Sequence, residues 1–220
     1  MDLLQYLAIK GIYHKYRGEV LEVHGTLDLS SQQGVRLPQK LEVLGDLLLS
    51  DSGLQTLPER LLVKGNLDVS NTAISMLPKN ARIGGSLILR GCSLDVMPEF
   101  IEVCGDLDLS EARLPGLMNG LRVRGSLNMY RAQIKALPDD LMVDEVLYLV
   151  GCKLERLPRN LKVMKNLVIS SSSIHADLPR DLYVAGKLID TDNTLPARFQ
   201  QDGVWLRSDT YSQAIRATLL

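Results

Sequence analysis

The chain repeats one twenty-residue unit, which reads LPERLLVKGNLDVSNTAISM over residues 57–76. Apolar and polar residues alternate around Leu67 and Val69, and this is the period of a strand with one buried face. Ile74 follows five residues later and is expected to point inward again. Pro58 cannot donate to a strand ladder. Twenty residues leave no room for a full helix, so the unit predicts one short strand and an extended or 3₁₀ return path.

Apolar residues recur along the chain in three columns at the same spacing. They are Val23, Val43, Val63, Ile83, Val103, Val123, Val143 and Val163; then Leu27, Leu47, Leu67, Leu87, Leu107, Leu127, Leu147 and Leu167; then Leu29, Leu49, Val69, Leu89, Leu109, Met129, Leu149 and Ile169. A fixed short period predicts a stacked solenoid, in which each unit buries its apolar face against its neighbours. After residues 170–173 the pattern arrives one residue late, which predicts a one-residue insertion there.

The pattern Leu-x-Leu-x-x-small-x-Leu-x-x-Leu-Pro resembles the short bacterial-type leucine-rich repeat, the twenty-residue class of type III secreted effectors. Two features depart from that family: Ser, Thr, Cys or Ala stand where it usually carries Asn, and one Leu-Pro step is followed by Val-x-Gly. The resemblance implies a leucine-rich repeat solenoid shaped as a horseshoe, with a parallel β-sheet on the concave face. A parallel β-helix is the alternative fold, since it also stacks short coils.

We expect a single domain over residues 1–220, with about eight to nine repeats between residues 21 and 200. The end coils of a solenoid need covering. Residues 1–20 are therefore expected to form an N-terminal helical cap, with a helix over residues 2–16 and Gly18 at its exit.

Residues 201–220 are expected to form a second helical cap at the C-terminal end. Ser208 or Asp209 can cap its helix. Trp205, the only tryptophan of the chain, precedes that helix and is expected to pack against the last coil.

Bulk composition argues against several partners and locations. A net charge of −1 gives no reason to expect nucleic acid or an anionic membrane as a partner. Cys92 and Cys152 share a column three repeats apart, so they are expected to lie ~14 Å apart, too far for a disulfide. Three reduced thiols favour an intracellular compartment, which the resemblance identifies as the bacterial cytoplasm. The resemblance adds secretion into a host cell by a route without a cleaved signal peptide.

Two further columns have structural interpretations. Glycine recurs at Gly25, Gly45, Gly65, Gly85, Gly105 and Gly125, but the same position holds Glu145 and Lys165. Because buried unpaired charges are costly, the position is expected to be a solvent-facing bend before the strand, where glycine adopts a positive φ. Small residues form the other column, at Ser52, Thr72, Cys92, Ala112, Ala132, Cys152 and Ser172, and are expected to turn inward and satisfy buried backbone groups.

Nothing in the sequence predicts catalysis, a cofactor or a metal. The three histidines, His14, His24 and His175, have no metal-ligand spacing. Cys104-Gly105-Asp106 is similar to the Cys-x-Asp motif of the ubiquitin ligases among those effectors, but here it falls inside a repeat and among acidic residues, which do not activate a thiol.

The second half of the chain gathers apolar residues at strand positions that face outward. This candidate patch comprises Tyr130, Val146, Tyr148, Val150 and Val168, whereas most of the corresponding positions of the first half are small or acidic, with Leu48 and Ile88 as apolar exceptions. A contiguous exposed apolar patch with tyrosines is typical of a protein-binding site. A homodimer contact and the absence of any role are the alternatives.

A secondary basic patch is expected at Arg82, Arg90, Arg122 and Arg124, with Arg131 beside it, and would suit an acidic partner. The favoured function is a non-enzymatic protein–protein interaction module: a bacterial effector or scaffold, monomeric or weakly dimeric, with a host protein among the candidate partners. The alternative is a self-associating structural repeat protein of bacterial or phage origin.

Overall fold

The chain forms two compact units, Met1–Pro115 and Gly116–Leu220. The structure, a computed structural model, describes residues 2–95, 102–119, 121–152, 154–170, 178–193 and 202–205. Each unit is a parallel β-solenoid, and the described part of the chain contains one short helix.

In the first unit, helix α1 (Leu3–Ile9) and strand β1 (His14–Arg17) precede five coils. The first sheet of this unit contains β1, β2 (Val20–Val23), β4 (Lys40–Val43), β6 (Arg60–Val63), β8 (Arg82–Ile83) and β10 (Glu102–Val103). The second sheet contains β3 (Leu27–Asp28), β5 (Leu47–Leu48), β7 (Leu67–Asp68), β9 (Leu87–Ile88) and β11 (Leu107–Asp108). Strand β1 pairs antiparallel with β2, and the strands of successive coils pair in parallel with a register of twenty residues.

The second unit repeats this arrangement. Its first sheet contains β12 (Arg122–Val123), β14 (Met142–Val143) and β16 (Lys162–Val163), and its second sheet contains β13 (Leu127–Asn128), β15 (Leu147–Tyr148) and β17 (Leu167–Ile169). Strand β18 (Tyr183–Asp190) joins both sheets, and β19 (Asp202–Trp205) pairs antiparallel with β18. Leu167 lies opposite Leu188, a spacing of twenty-one residues that confirms the predicted insertion.

Each coil contributes two strands where the sequence predicted one. In the coil of residues 57–76, Leu61 and Val63 point inward from β6 just as Leu67 and Val69 do from β7 and the position after it. The bend between these strands falls at residues 64–65. The prediction of a single parallel sheet was therefore wrong. The residues of the Val-x-Gly step add a second strand to each coil, and these strands form a second parallel sheet.

The three predicted columns form the core. Val63, Leu67 and Val69 have no accessible surface, and Ile74 is buried as expected. Burying such a side chain is worth about 1.5–3 kcal/mol, so the columns supply most of the stabilisation between coils. The return segments contain no regular helix among the described residues, in agreement with the extended return path.

The bend glycines are required for a reason other than the predicted one. Of this column only Gly25 has a positive φ, so the conformational explanation was wrong for the described members that follow it. Gly85 shows the actual cause: its N–H donates to the carbonyl of Gly65 at 2.9 Å. A Cβ at Gly85 would lie 2.8 Å from the Gly65 carbonyl carbon. Glycine is favoured because successive coils approach too closely for a side chain.

Positive φ angles occur instead in the turn that follows the second strand. These left-handed residues are Ser31, Asp51, Asn71, Gly91, Glu111, Arg131 and Gly151. Glycine adopts this conformation freely, whereas other residues pay of order 1–3 kcal/mol and the short polar Asn and Asp pay least. The column therefore predicts strain at Glu111 and Arg131.

The N-terminal cap is shorter and more sheet-like than predicted. Helix α1 ends at Ile9, and after it the N–H groups of Gly11 and Ile12 donate to the Ala8 and Leu7 carbonyls in a Schellman motif. The predicted exit, Gly18, lies in the β1–β2 hairpin turn instead. The predicted C-terminal helix lies outside the described residues, and Trp205 belongs to β19, opposite Tyr183.

Candidate functional site

All five residues of the candidate patch lie on the second sheet of the second unit or at its margins. Tyr130 is 37% exposed and Tyr148 is 40% exposed, whereas Val146, Val150 and Val168 are half-buried. Tyr148 lies opposite Val168 in the parallel register. Tyr148 and Val168 are therefore neighbours on the outward face of adjacent strands, and the binding role of the five residues stays a prediction.

One apolar member of this surface was missed. Ile189 lies opposite Val168 in β18 and is 40% exposed, so Tyr148, Val168 and Ile189 form a continuous row across three strands. The one-residue insertion hides Ile189 from a strict spacing of twenty. Counting Ile189 as the equivalent of Val168 after that insertion would have found it.

The guanidinium of Arg131 stacks on the ring of Tyr130. The Arg131 guanidinium carbon lies 4.9 Å from the ring centroid, within the range of a cation–π contact. The backbone N–H of Tyr130 donates to Asn128 Oδ1 at 3.1 Å, and that of Arg131 donates to the Val150 carbonyl at 2.9 Å. The turn that presents the pair is thus fixed from both sides.

The acidic positions of the first unit have local structural roles. Asp28, Asp68 and Asp108 accept from the N–H two residues ahead, at Ser30, Ser70 and Ser110, over 2.8–2.9 Å. Such Asx turns stabilise the backbone where the second strand ends. Leu48 and Ile88 interrupt this column in the first unit, and Tyr148 and Val168 interrupt it in the second.

A second set of polar side chains links successive coils at the bend. Asp46 Oδ1 accepts from the Asn66 N–H at 2.7 Å, and Asn66 Oδ1 accepts from the Ser86 N–H at 2.8 Å. Ser126 in the second unit accepts from the Val146 N–H at 3.4 Å. The Val146 side chain has no acceptor for the backbone N–H of the following coil. At this position the patch therefore replaces a polar side chain that links coils elsewhere.

The residues of the secondary basic patch are divided between the two units. Arg82 and Arg90 belong to the first unit, where Arg90 pairs with Glu111 at 3.3 Å. Arg122 and Arg124 belong to the second, where Arg122 pairs with Asp144 at 2.8 Å. Their charges are partly neutralised within the chain, which weakens the case for a basic binding site.

The thiols separate into two buried and one exposed. Cys92 donates to the Val69 carbonyl at 3.1 Å, and Cys152 donates to the Met129 carbonyl at 2.7 Å, as the small-residue column predicted. Burial raises the pKa of Cys92, and it raises the pKa of Cys152 to about 11. Both thiols therefore stay protonated and unreactive, and only Cys104 is exposed.

A buried carboxylate that the sequence did not reveal lies in the N-terminal hairpin. Glu22 is 1% exposed and contacts Lys15 at 3.1 Å, Arg17 at 2.7 Å and His24 at 2.6 Å. Burial by itself would raise the pKa of Glu22, but the hydrogen bonds of Lys15 and His24 and the nearby positive charges outweigh it. The pKa of Glu22 therefore lies below its ordinary value. This cluster attaches β1 to the first coil.

A surface groove of about 570 Å³ runs between two return segments of the first unit, residues 34–39 and 53–59. Its size is that of a small-ligand site, but it is lined by extended backbone and by Leu-Pro pairs.

Within the described ranges, no three His, Cys, Asp or Glu side chains are placed to hold a metal ion. No described helix is long and apolar enough to cross a membrane. Comparison with protein-family models, with curated proteins and with solved structures finds no match for this chain.

Proposed function

We propose that this protein is a non-enzymatic protein-binding module and that the row Tyr148, Val168 and Ile189, with Tyr130 beside it, is its binding surface. The observation that carries the proposal is the outward placement of four apolar side chains, each exposed or half-exposed, on one face of the second unit. Contiguous exposed apolar patches with tyrosines are enriched at protein interfaces.

The energetics of the column support this proposal. Asp68 and Asn128 each accept a backbone hydrogen bond at the position where Tyr148 and Val168 carry none. A hydrogen bond of this kind is worth about 0.5–1.5 kcal/mol. Apolar side chains at these two positions therefore expose surface to water and also forgo local stabilisation, a loss that partner binding would offset.

The area of the row indicates the size of the partner. The partly exposed side chains offer roughly 300 Å², given about 150–250 Å² for a whole aromatic side chain. Stable globular interfaces bury about 800 Å² on each partner. A short segment of a partner protein matches the row better than a large flat surface does.

Self-association is the second candidate function, and a separate surface favours it. Ile9, Tyr13 and Tyr16 are each more than half exposed at the N-terminal end of the first unit. Solenoid ends that expose large apolar residues favour end-to-end contacts. In this case the chain would be a structural repeat protein.

We also propose, as the finer identity, a bacterial leucine-rich-repeat effector or scaffold that acts in the cytoplasm or in a host cell. Its support is the twenty-residue period with recurrent Leu-Pro pairs. The second parallel sheet in each coil is a feature that this identity must accommodate.

A pull-down from bacterial and eukaryotic lysates with wild-type, Tyr148→Asp and Tyr13→Asp chains tests the proposal. Tyr148→Asp is expected to release a specific partner without changing the far-UV circular dichroism or the melting temperature. Tyr13→Asp is the matched control, an exposed tyrosine on the N-terminal end. Equal recovery of partners by all three chains would refute the proposed surface, and loss of self-association in Tyr13→Asp alone would favour the structural role.

A further inference from the structure

Arg131 occupies a backbone conformation that does not suit it. Its φ is 54°, in the left-handed region. The equivalent residue of the following coil is Gly151, which adopts this region without strain. A strained residue at the margin of a candidate site points to a role for its side chain.

The following coil leaves room for that side chain. A Cβ at Gly151 would lie 2.9 Å from Arg131 Cγ, so any larger residue at 151 would displace the arginine. Tyr130 supports the guanidinium from its ring face. Two neighbours, the Tyr130 ring and Gly151, therefore fix where Arg131 presents its charge, at the margin of the candidate patch.

Arg131 differs from other arginines of the second unit in its pairing. Arg122 pairs with Asp144, and both Arg156 and Arg159 pair with Asp139. In the residues that the structure describes, no carboxylate lies within salt-bridge distance of Arg131. Its positive charge is therefore available to a partner.

We propose that the partner segment carries a carboxylate that binds Arg131, next to apolar side chains that pack on Tyr148, Val168 and Ile189. The inference rests on the proposed function and adds the chemistry of the ligand: a short acidic and apolar stretch of protein. A single guanidinium next to an apolar row favours a carboxylate, because phosphopeptide sites use clusters of arginines. The positive charge of Arg131 thus favours a partner segment that carries a carboxylate.

The test uses the whole 220-residue chain and a displayed library of random twelve-residue peptides as the probe. Peptides are selected on the wild-type chain and counter-selected on Tyr148→Asp. We expect the enriched peptides to carry Asp or Glu beside aromatic or branched apolar residues. Enrichment of peptides without acidic residues, or with basic ones, would overturn the inference and leave the proposed surface standing.

Fluorescence anisotropy with one enriched peptide then measures the pair directly. Replacing its acidic residue by the amide is expected to weaken binding about twofold to fivefold, the usual effect of losing an exposed ion pair. On Arg131→Gly the acidic and amide peptides should bind equally, because the partner charge is gone. Arg131→Gly also relieves the backbone strain, so loss of folding does not explain a loss of binding.

The same measurements separate the two ideas. If no peptide depends on Tyr148, the proposed function fails and this inference fails with it. If peptides depend on Tyr148 but the amide substitution costs the same on wild type and on Arg131→Gly, the inference alone fails. If sedimentation shows dimers of the chain that depend on Arg131, the occupant of the surface is a second copy of the chain and the proposal of a foreign segment is overturned.

Discussion

The bend glycines are required because successive coils approach each other too closely at their positions for a side chain. Their spacing reveals the column, but the sequence does not reveal how closely two coils approach there. Gly85 is needed because Gly65 of the preceding coil lies directly against it. At Lys165 the distance does not explain the departure, since its N–H reaches the Glu145 carbonyl at 3.1 Å, but the Glu145 N–H reaches the Gly125 carbonyl only at 3.3 Å. Looser contact there accommodates a side chain.

Gly85→Ala is predicted to destabilise the chain by about 1–3 kcal/mol, the usual cost of overpacking. The added methyl would lie 2.8 Å from the Gly65 carbonyl carbon and would push two coils apart. Gly116→Ala is the matched control, because a Cβ there meets nothing within 4 Å. Urea unfolding followed by circular dichroism measures both. Equal midpoints for the two variants would contradict the close-approach explanation.

The three cysteines should differ sharply in reactivity. Cys104 is exposed, whereas Cys92 and Cys152 are buried, hydrogen-bonded and raised in pKa. A thiol reagent at about pH 8 is therefore expected to modify one cysteine of the folded chain quickly and all three after denaturation. Mass spectrometry of the modified peptides identifies them. Rapid modification of Cys152 in the folded chain would show that its coil opens.

At this scale the sequence predicted the apolar patch but not the hydrogen bonds around it. The side-chain bonds of Asp68 and Asn66 depend on which backbone N–H lies two residues or one coil away. That knowledge requires the register and the turn geometry. Strain at Arg131 was also invisible, because many residue types occupy that turn position.

At the scale of elements, the second-sheet strands followed directly from the alternation around Leu67 and Val69. The first-sheet strands were missed because Gly65 was interpreted as a bend that precedes the only strand, although Leu61 and Val63 alternate as well. The hairpin of β1 and β2 was missed because Leu3, Tyr6 and Leu7 predicted a helix that, in the structure, ends before Gly11. Both errors concern where an element ends, which local glycine chemistry decides.

Glu22→Gln is predicted to loosen the β1–β2 hairpin at neutral pH. Lys15, Arg17 and His24 face this carboxylate, and Glu42 lies opposite it on β4. Because its folded pKa lies below the ordinary 4.5, the charged carboxylate stabilises the fold above pH 4.5. This contribution is lost as pH falls through the lower, folded value.

Urea unfolding of wild type and Glu22→Gln at about pH 7 and about pH 3 tests this element. The difference in free energy of unfolding should be present at neutral pH and should shrink at the acidic pH. Glu19→Gln is the control, since Glu19 lies in the same hairpin and its exposed pair with Lys40 is worth little. A difference that does not change with pH would mean that Glu22 acts by packing alone.

At the scale of the whole molecule, the period of twenty residues established the pairing of successive coils and the buried columns in both units. It did not establish how many sheets a coil contains, because that depends on the bend at residues 64–65. Nor did it reveal how the end coils are covered. The ends break the repeat, so the pattern that predicts the interior carries no information about them.

Removal of residues 2–19 is predicted to make the chain associate. These residues cover β2 with the antiparallel strand β1, and the Tyr6 hydroxyl donates to the Asp28 carbonyl at 2.5 Å beside β3. Without them, β2 presents a bare parallel edge, and the first coil exposes the apolar surface that Leu3, Tyr6 and Leu7 bury. Sedimentation velocity from micromolar to hundred-micromolar concentrations should show larger species only for the shortened chain.

Ile9→Ser in the otherwise intact chain is the control, because it removes an exposed apolar residue and leaves the cover in place. If the shortened chain stays monomeric at every concentration, the hairpin and helix are not what terminates the stack; if intact chains associate and Ile9→Ser prevents it, the cap is itself a contact surface and the self-assembling role gains support.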